Sequence, residues 1–222
     1  PAELLLPAGA PPEQQAAVRS EWGLDDPIPT QLLTYLGNLA RGNFGESLSY
    51  GESVSGVVMD RLPATLQLAT AAMALAIVLA IPLGILSALR PGSAFDNVIT
   101  AITIATQSVP SFWLGVQLIL VFSLTLGLLP SSGSGSWKYL ILPAVTLSAD
   151  VMALMTRVVR TEMIRVLRQD YVRTAHAKGL APRFVVMRHV FRNAANPLVT
   201  VVGLRFGALL GGAAITETVF AW

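Results

Sequence analysis

The chain has 222 residues, of which 53% are hydrophobic and only 13% charged, with a mean hydropathy of +0.61 and a formal net charge of +2. This composition excludes an ordinary soluble domain, in which about a quarter of the residues are charged. The absence of cysteine also excludes disulfides and thiolate metal sites. The sequence therefore predicts an all-α, polytopic membrane protein, because helices satisfy every backbone amide inside a bilayer.

The first segment, residues 1–62, is less hydrophobic than the rest and is interrupted by many prolines and glycines. Between these breakers, PEQQAAVRSEWGL and PTQLLTYLGNLARG each predict a short amphipathic helix that a glycine ends. Residues 1–60 carry eight acidic residues against only Arg19 and Arg41. We predict that this segment forms an external cap of small helices.

Four apolar segments within residues 63–222 are each long enough to cross a bilayer, which takes about 20 residues. These predicted spans cover about 64–89, 98–126, 139–159 and 195–216. A basic insert, 160–194, separates the last two spans. Residues 157–192 hold nine of the fifteen Lys and Arg residues of the chain, against Glu162 and Asp170. The positive-inside rule therefore predicts that the insert is cytoplasmic.

The second predicted span contains a proline in the stretch TQSVPSFWLG. Pro110 frees a carbonyl that neighbouring side chains or water must satisfy, so we expect a kink. The kink either serves helix packing or forms a bend beside a wet translocation path. In the second case the candidates for the wall of the path are Gln107, Ser108, Phe112 and Trp113.

Two charged residues, Asp150 and Arg205, lie near the middle of the third and fourth predicted spans. A lone charge at the bilayer centre costs on the order of 3 kcal/mol or more, so such residues usually pair or face water. If these spans are antiparallel neighbours, the two residues lie at similar depth and form an ion pair. The alternative is that one or both project into a water-filled cavity.

The fourth span also carries a stripe of glycines, Gly203, Gly207 and Gly211, on one helical face. Small residues at this spacing allow a second helix to approach closely. We predict a packed interface there, either within the chain or with a second membrane subunit.

Motifs for catalysis are missing from the sequence. There is no G-x-x-x-x-G-K-[ST] loop for ATP, no G-x-S-x-G nucleophile elbow and no metal-binding spacing of the H-E-x-x-H kind. We therefore expect no enzymatic activity and no cofactor in this chain.

The basic insert predicts two short helices at the cytoplasmic surface. In DYVRTAHAKGL, Asp170 is the predicted N-cap and Gly179 the C-terminal stop, and Pro182 begins the second helix. The small face around Ala175 and Ala177 favours docking into a groove of a partner protein. An anionic-lipid anchor, a nucleic-acid patch and a solvated loop are the alternatives.

The insert resembles the cytoplasmic coupling loop of the membrane subunits of ABC importers, most closely those of the dipeptide/oligopeptide permease family. The usual form in that family is close to DYVRTARAKGL…RHALRNALIP, which DYVRTAHAKGL and RHVFRNAANP follow nearly position for position. The broader E-A-A motif of ABC permeases fits less well, because Arg173 and Thr174 occupy its first two positions. WGLDDPIPTQLLTYLGNLARGNFGESL, RLPATLQLA and GGAAITETVFAW look like further segments of the family.

The resemblance implies a type I-like ABC importer permease, which carries di- or oligopeptides across a prokaryotic inner membrane. It implies a homologous second permease, two cytoplasmic ABC ATPase subunits and an extracytoplasmic solute-binding protein as partners, within the lipid bilayer and without nucleic acid. It also implies that the chain is a fragment, with a first membrane helix before Pro1 and a sixth after Trp222. The residues that it places against the ATPase are Tyr171, Arg173, Thr174, Ala175, Ala177 and Gly179. A self-contained channel or membrane enzyme whose basic insert grips anionic lipid is the rival interpretation.

Overall fold

A computed structural model describes residues 11–21, 23–47 and 50–222. These residues are mainly helical, and within them the only extended pairing is an isolated bridge between Glu46 and Ser53. The chain divides into two compact units between Pro63 and Ala64. The first ten residues of the predicted cap lie outside the described residues.

The first unit contains both short helices that the sequence predicts. Helix α1 covers Pro12–Glu21, and α2 covers Ile28–Ala40 with a proline in its first turn. Gly42 follows α2 with φ +76°, a left-handed conformation that glycine adopts without the steric cost of a side chain. The predicted glycine stop of this helix is confirmed.

Within the residues that the structure describes, three helices are long and apolar enough to cross a membrane: α3 (Val54–Leu89), α6 (Trp137–Leu167) and α10 (Asn196–Phe220). They correspond to three of the four predicted spans, those over about 64–89, 139–159 and 195–216. Each helix extends beyond its predicted span, because polar residues at the ends of a membrane helix continue the backbone hydrogen bonding outside the hydrocarbon.

The second predicted span, 98–126, is a sharply bent pair of helices. Helix α4 covers Ala94–Ser108, and α5 (Ser111–Leu118) continues as the π-helix π1 (Ile119–Thr125). The two segments are bent by 105° at the break. The bend predicted at Pro110 is present, but it divides the segment 98–126 into two helices instead of kinking one continuous helix.

The break at Val109 and Pro110 has a local cause. Proline disfavours the helical conformation of the residue before it, and Val109 is extended, with φ −97° and ψ +126°. Pro110 then takes the N-cap position of α5 instead of lying inside a helix. The hydroxyl of Ser108 donates to the carbonyl of Ile104 at 3.1 Å and so satisfies one acceptor at the end of α4.

The basic insert contains two short helical segments, as predicted. The first is α7 (Asp170–Ala177). The second comprises α8 (Pro182–Phe184), the π-helix π2 (Val185–Phe191) and α9 (Arg192–Ala194). The predicted N-cap was wrong by one position, because Gln169 is extended at the cap and Asp170 is already helical.

The end of α7 is closed by backbone hydrogen bonds around a glycine. Gly179 has φ +77°, and its amide donates to the carbonyl of His176 at 2.9 Å. The amide of Leu180 reaches the carbonyl of Ala175 at 3.4 Å. This pattern is the Schellman motif, which satisfies the last carbonyls of a helix. The prediction that Gly179 stops the helix is confirmed.

The core of the second unit is built largely from small side chains. In α3 its buried row consists of Leu68, Ala69, Ala72, Met73, Ala76 and Ala80. Further along the helix, a Cβ atom added to Gly84 would lie 2.7 Å from the Cβ of Val159 and 2.8 Å from the carbonyl oxygen of Thr156. Real Cβ contacts are longer than this, so α3 and α6 approach each other at a point where only glycine fits.

Candidate functional site

A cavity of about 270 Å³ lies beside the break between α4 and α5. Its wall combines residues from the break, from α6 and from α10. They include Thr106, Val109, Ser111, Asp150, Arg205 and Ala208. Among the described residues, no group of three or more metal-ligating side chains could hold a metal ion.

The two charges predicted near the middle of the spans meet in the wall of this cavity. The Nη1 atom of Arg205 lies 3.4 Å from the Oδ2 atom of Asp150. The side chains of Arg205 and Asp150 are 38% and 52% exposed. The two side chains therefore lie within ion-pair distance and are both partly exposed in the wall of the cavity.

The four residues suggested for the wall of a translocation path flank the break. Phe112 and Trp113 are each about half exposed at the start of α5. Gln107 and Ser108 end α4, where Ser108 is bonded to the backbone. The cavity wall itself uses their neighbours in the chain, Thr106, Val109 and Ser111 among them.

A second ion pair, which the sequence did not predict, joins Asp96 in α4 to Arg160 in α6. The Nε and Nη2 atoms of Arg160 lie 2.5 and 2.7 Å from the two carboxylate oxygens. The hydroxyl of Ser87 donates to Oδ1 at 2.6 Å, and the amide of Gly92 donates to Oδ2 at 2.8 Å. The Asp96 side chain is only 2% exposed. Four donors therefore saturate a buried carboxylate, and they connect the end of α3, the following turn, α4 and α6.

Helix α7 has one buried face and one exposed face. Val172 and Ala175 are 2% and 7% exposed and belong to the core of the unit. The residues predicted to contact a partner are otherwise exposed, and these are Tyr171, Arg173, Thr174, Ala177 and Gly179. Ala175 is the exception, because it lies on the inner face of the helix and not on the outer surface where the sequence placed it.

The glycine stripe of α10 is open. Gly203, Gly207 and Gly211 are exposed, and a Cβ atom added to any of them would meet no atom within 4 Å. The described part of this chain therefore does not pack a helix against the stripe.

The long apolar helices, the bent pair and the half-open charged cavity define a polytopic helical membrane protein with a basic surface insert. Residues 80–222 match the family described as binding-protein-dependent transport system inner membrane component. The chain belongs to this family and is a component of the inner membrane.

Individual relatives cover almost the entire chain. The di/tripeptide transport system permease protein DppB of Pseudomonas aeruginosa (strain UCBPP-PA14) is 41% identical over 95% of this chain and 71% of its own length. The glutathione transport system permease protein GsiC of Escherichia coli (strain K12) is 40% identical over 100% of this chain and 72% of its own length. Its counterpart in Salmonella choleraesuis (strain SC-B67) is 39% identical over the same shares. All three are transport permeases, as the sequence motifs of the insert led us to expect.

Proposed function

We propose that the chain is the membrane-spanning translocation subunit of an ATP-driven importer and that its substrates are di- or oligopeptides. The observation that carries this proposal is the similarity of the chain to two transport permeases, at 40–41% identity along almost its whole length. One of them is named for di- and tripeptides, and the other for glutathione, which is itself a tripeptide. A shared peptide character of these two substrates supports peptides as the substrate class of this chain.

Energy for transport has to come from partner subunits, because the sequence has no phosphate-binding loop of the G-x-x-x-x-G-K-[ST] type. We propose two cytoplasmic ABC ATPase subunits as this source and assign the contact with one of them to the exposed face of α7. Its centre is Arg173, Thr174 and Ala177, with Tyr171 and Gly179 at its ends. A short helix seated in a cleft of the ATPase transmits closure of the cleft as a rigid-body movement.

The packing of α7 supports this role. Val172 and Ala175 join the same buried cluster as Val185 and Val190 of π2 and Met163 of α6. A force applied to the outer face of α7 therefore reaches α6 through close-packed side chains, which deform little. Because α6 carries Asp150, the same helix connects the insert with the charged cavity.

The other partners are assigned to two further parts of the chain. We assign a homologous second permease to the glycine stripe of α10, where another backbone can approach closely. We assign an extracytoplasmic solute-binding protein to the acidic segment 1–62, whose charge favours a basic docking patch.

The test is to place a bulky charge on the outer face of α7. We expect Ala177→Arg to abolish co-purification of the ATPase subunits with the full-length permease, and ATP-driven peptide uptake into proteoliposomes with it. Thr161→Arg is the matched control, because Thr161 is also exposed and helical but lies in α6 outside the proposed contact face. Equal ATPase binding by both variants would refute the assignment of α7. Peptide flux through the permease without any ATPase would favour a self-contained channel with a lipid-anchoring insert.

A further inference from the structure

Two ion pairs join different membrane helices of the second unit, Asp96–Arg160 and Asp150–Arg205, and they differ in number of contacts, distance and exposure. Asp96 and Arg160 make two contacts, at 2.5 and 2.7 Å, around a carboxylate that is 2% exposed. Asp150 and Arg205 are joined by one contact of 3.4 Å, and their side chains are 52% and 38% exposed. The first pair is closed and saturated. The second leaves most of its hydrogen-bonding capacity unused, since a guanidinium has five N–H donors and a carboxylate about four acceptor positions.

The cavity around Asp150 and Arg205 resembles a small-molecule site in its lining and volume. The cavity is lined by apolar side chains such as Leu114 and Leu209, with a few polar groups among them. Small-molecule sites typically combine a mainly apolar wall with a small number of placed polar groups. Its volume of about 270 Å³ is close to the lower end of the range of such sites, about 300 Å³. One cation and one anion lie side by side in this wall.

We propose that Asp150 and Arg205 form a binding site for the two charged ends of a zwitterionic peptide during its passage. Arg205 binds the terminal carboxylate through its free N–H donors, and Asp150 binds the terminal ammonium. The substrate replaces the single contact of 3.4 Å with one charge-assisted contact at each end. The inference rests on the proposed function, because it assumes that peptides reach this cavity.

Opposite charges at adjacent positions select for a substrate that carries both signs. A solute with one charge leaves the other protein charge without a new partner after separating the pair, and an uncharged solute offers neither contact. The hydroxyl-bearing residues Thr106 and Ser111 at the break stand in the same wall. Their hydroxyls offer hydrogen bonds to a peptide group in the cavity.

The experiment uses the absence of cysteine from this chain. Ala208 is exposed and lines the cavity one turn from Arg205, so Ala208→Cys places a single thiol in the site when the full-length permease has no other cysteine. The full-length permease is assembled with its partner subunits, and labelling of its own band by the neutral reagent methyl methanethiosulfonate is timed. Leu204→Cys is the matched control, because Leu204 is 72% exposed on the same helix and is not part of the cavity wall.

We expect L-alanyl-L-alanine, at ten times its dissociation constant, to slow labelling at position 208 about tenfold and to leave position 204 unchanged. N-acetyl-L-alanyl-L-alanine amide, which has no charged end, should give no protection. N-acetyl-L-alanyl-L-alanine keeps only the carboxylate. We expect it to protect weakly, with protection that is lost in Arg205→Gln and kept in Asp150→Asn. Both variants must assemble with the partner subunits as the parent does.

Equal protection by the charged and the fully blocked dipeptide, or none by either, would overturn the proposed site. ATP-driven uptake by the unaltered complex is measured in parallel and tests the proposed function separately. Uptake without protection refutes the site alone. Protection without ATP-driven uptake supports the site and refutes the importer.

Discussion

Replacing Arg160 by Gln removes two of the four donors that hold the carboxylate of Asp96. Ser87 and Gly92 still donate to it, but the buried charge loses the cation that pairs with it. Breaking a buried pair by removing one partner costs about 3–5 kcal/mol. We expect the lower end of this range, about 3 kcal/mol, because two donors are kept. For a domain of 150–250 residues this corresponds to a fall in Tm of about 6–12 °C.

The measurement is thermal unfolding of the purified full-length permease, followed by tryptophan fluorescence at a fixed heating rate. Arg165→Gln is the matched control, because Arg165 lies on the same helix and pairs with Glu162 while 58% exposed. An exposed pair contributes less than about 1 kcal/mol, so this variant should change the Tm by less than about 4 °C. The double replacement Asp96→Leu with Arg160→Met should restore most of the lost stability, since it removes the unpaired charge. A Tm for Arg160→Gln equal to that of the control would refute the reasoning.

Three further predictions concern glycine residues. Gly84→Ala should lower the free energy of unfolding by about 1–3 kcal/mol in the same assay, because the added Cβ atom meets Val159 and the backbone of α6. Gly203→Ala should lower it much less, because the space around Gly203 is open. Gly207→Leu should reduce co-purification of the second permease and leave the free energy of unfolding of the isolated chain within about 0.5 kcal/mol of the parent. Retained association would contradict the assignment of the stripe. Gly179→Ala should impair ATP-driven uptake more than Gly179→Asn, because asparagine tolerates the left-handed backbone at φ +77° better than alanine does. Identical uptake by the two variants would show that this turn is not required.

The long helices α3, α6 and α10 were predictable because the length of an apolar segment is a local property of the sequence. The break at Pro110 was predictable in position but not in size. Proline explains why a helix ends there, whereas the angle of 105° depends on how α5 packs against the other helices. A pattern within one segment contains no information on that packing.

Two features of the site lay beyond sequence reasoning for the same reason. Asp96 and Arg160 are 64 residues apart, and the sequence shows each only as one charge near the end of an apolar segment. Ala175 and Ala177 are equally small and lie two positions apart, so composition alone does not show which one faces the core. The position of π2 decides this, because it places Val185 and Val190 in the same buried cluster as Ala175.

The separation of Asp96 and Arg160 along the chain also has a consequence for folding during synthesis. Ribosomes add about 5–20 residues each second, so Arg160 emerges roughly 3–13 s after Asp96. During this interval the carboxylate has Ser87 and Gly92 as donors but lacks Arg160, and burying it in that state is costly. We therefore expect helices α3 and α4 to reach their final arrangement only after α6 has been synthesised.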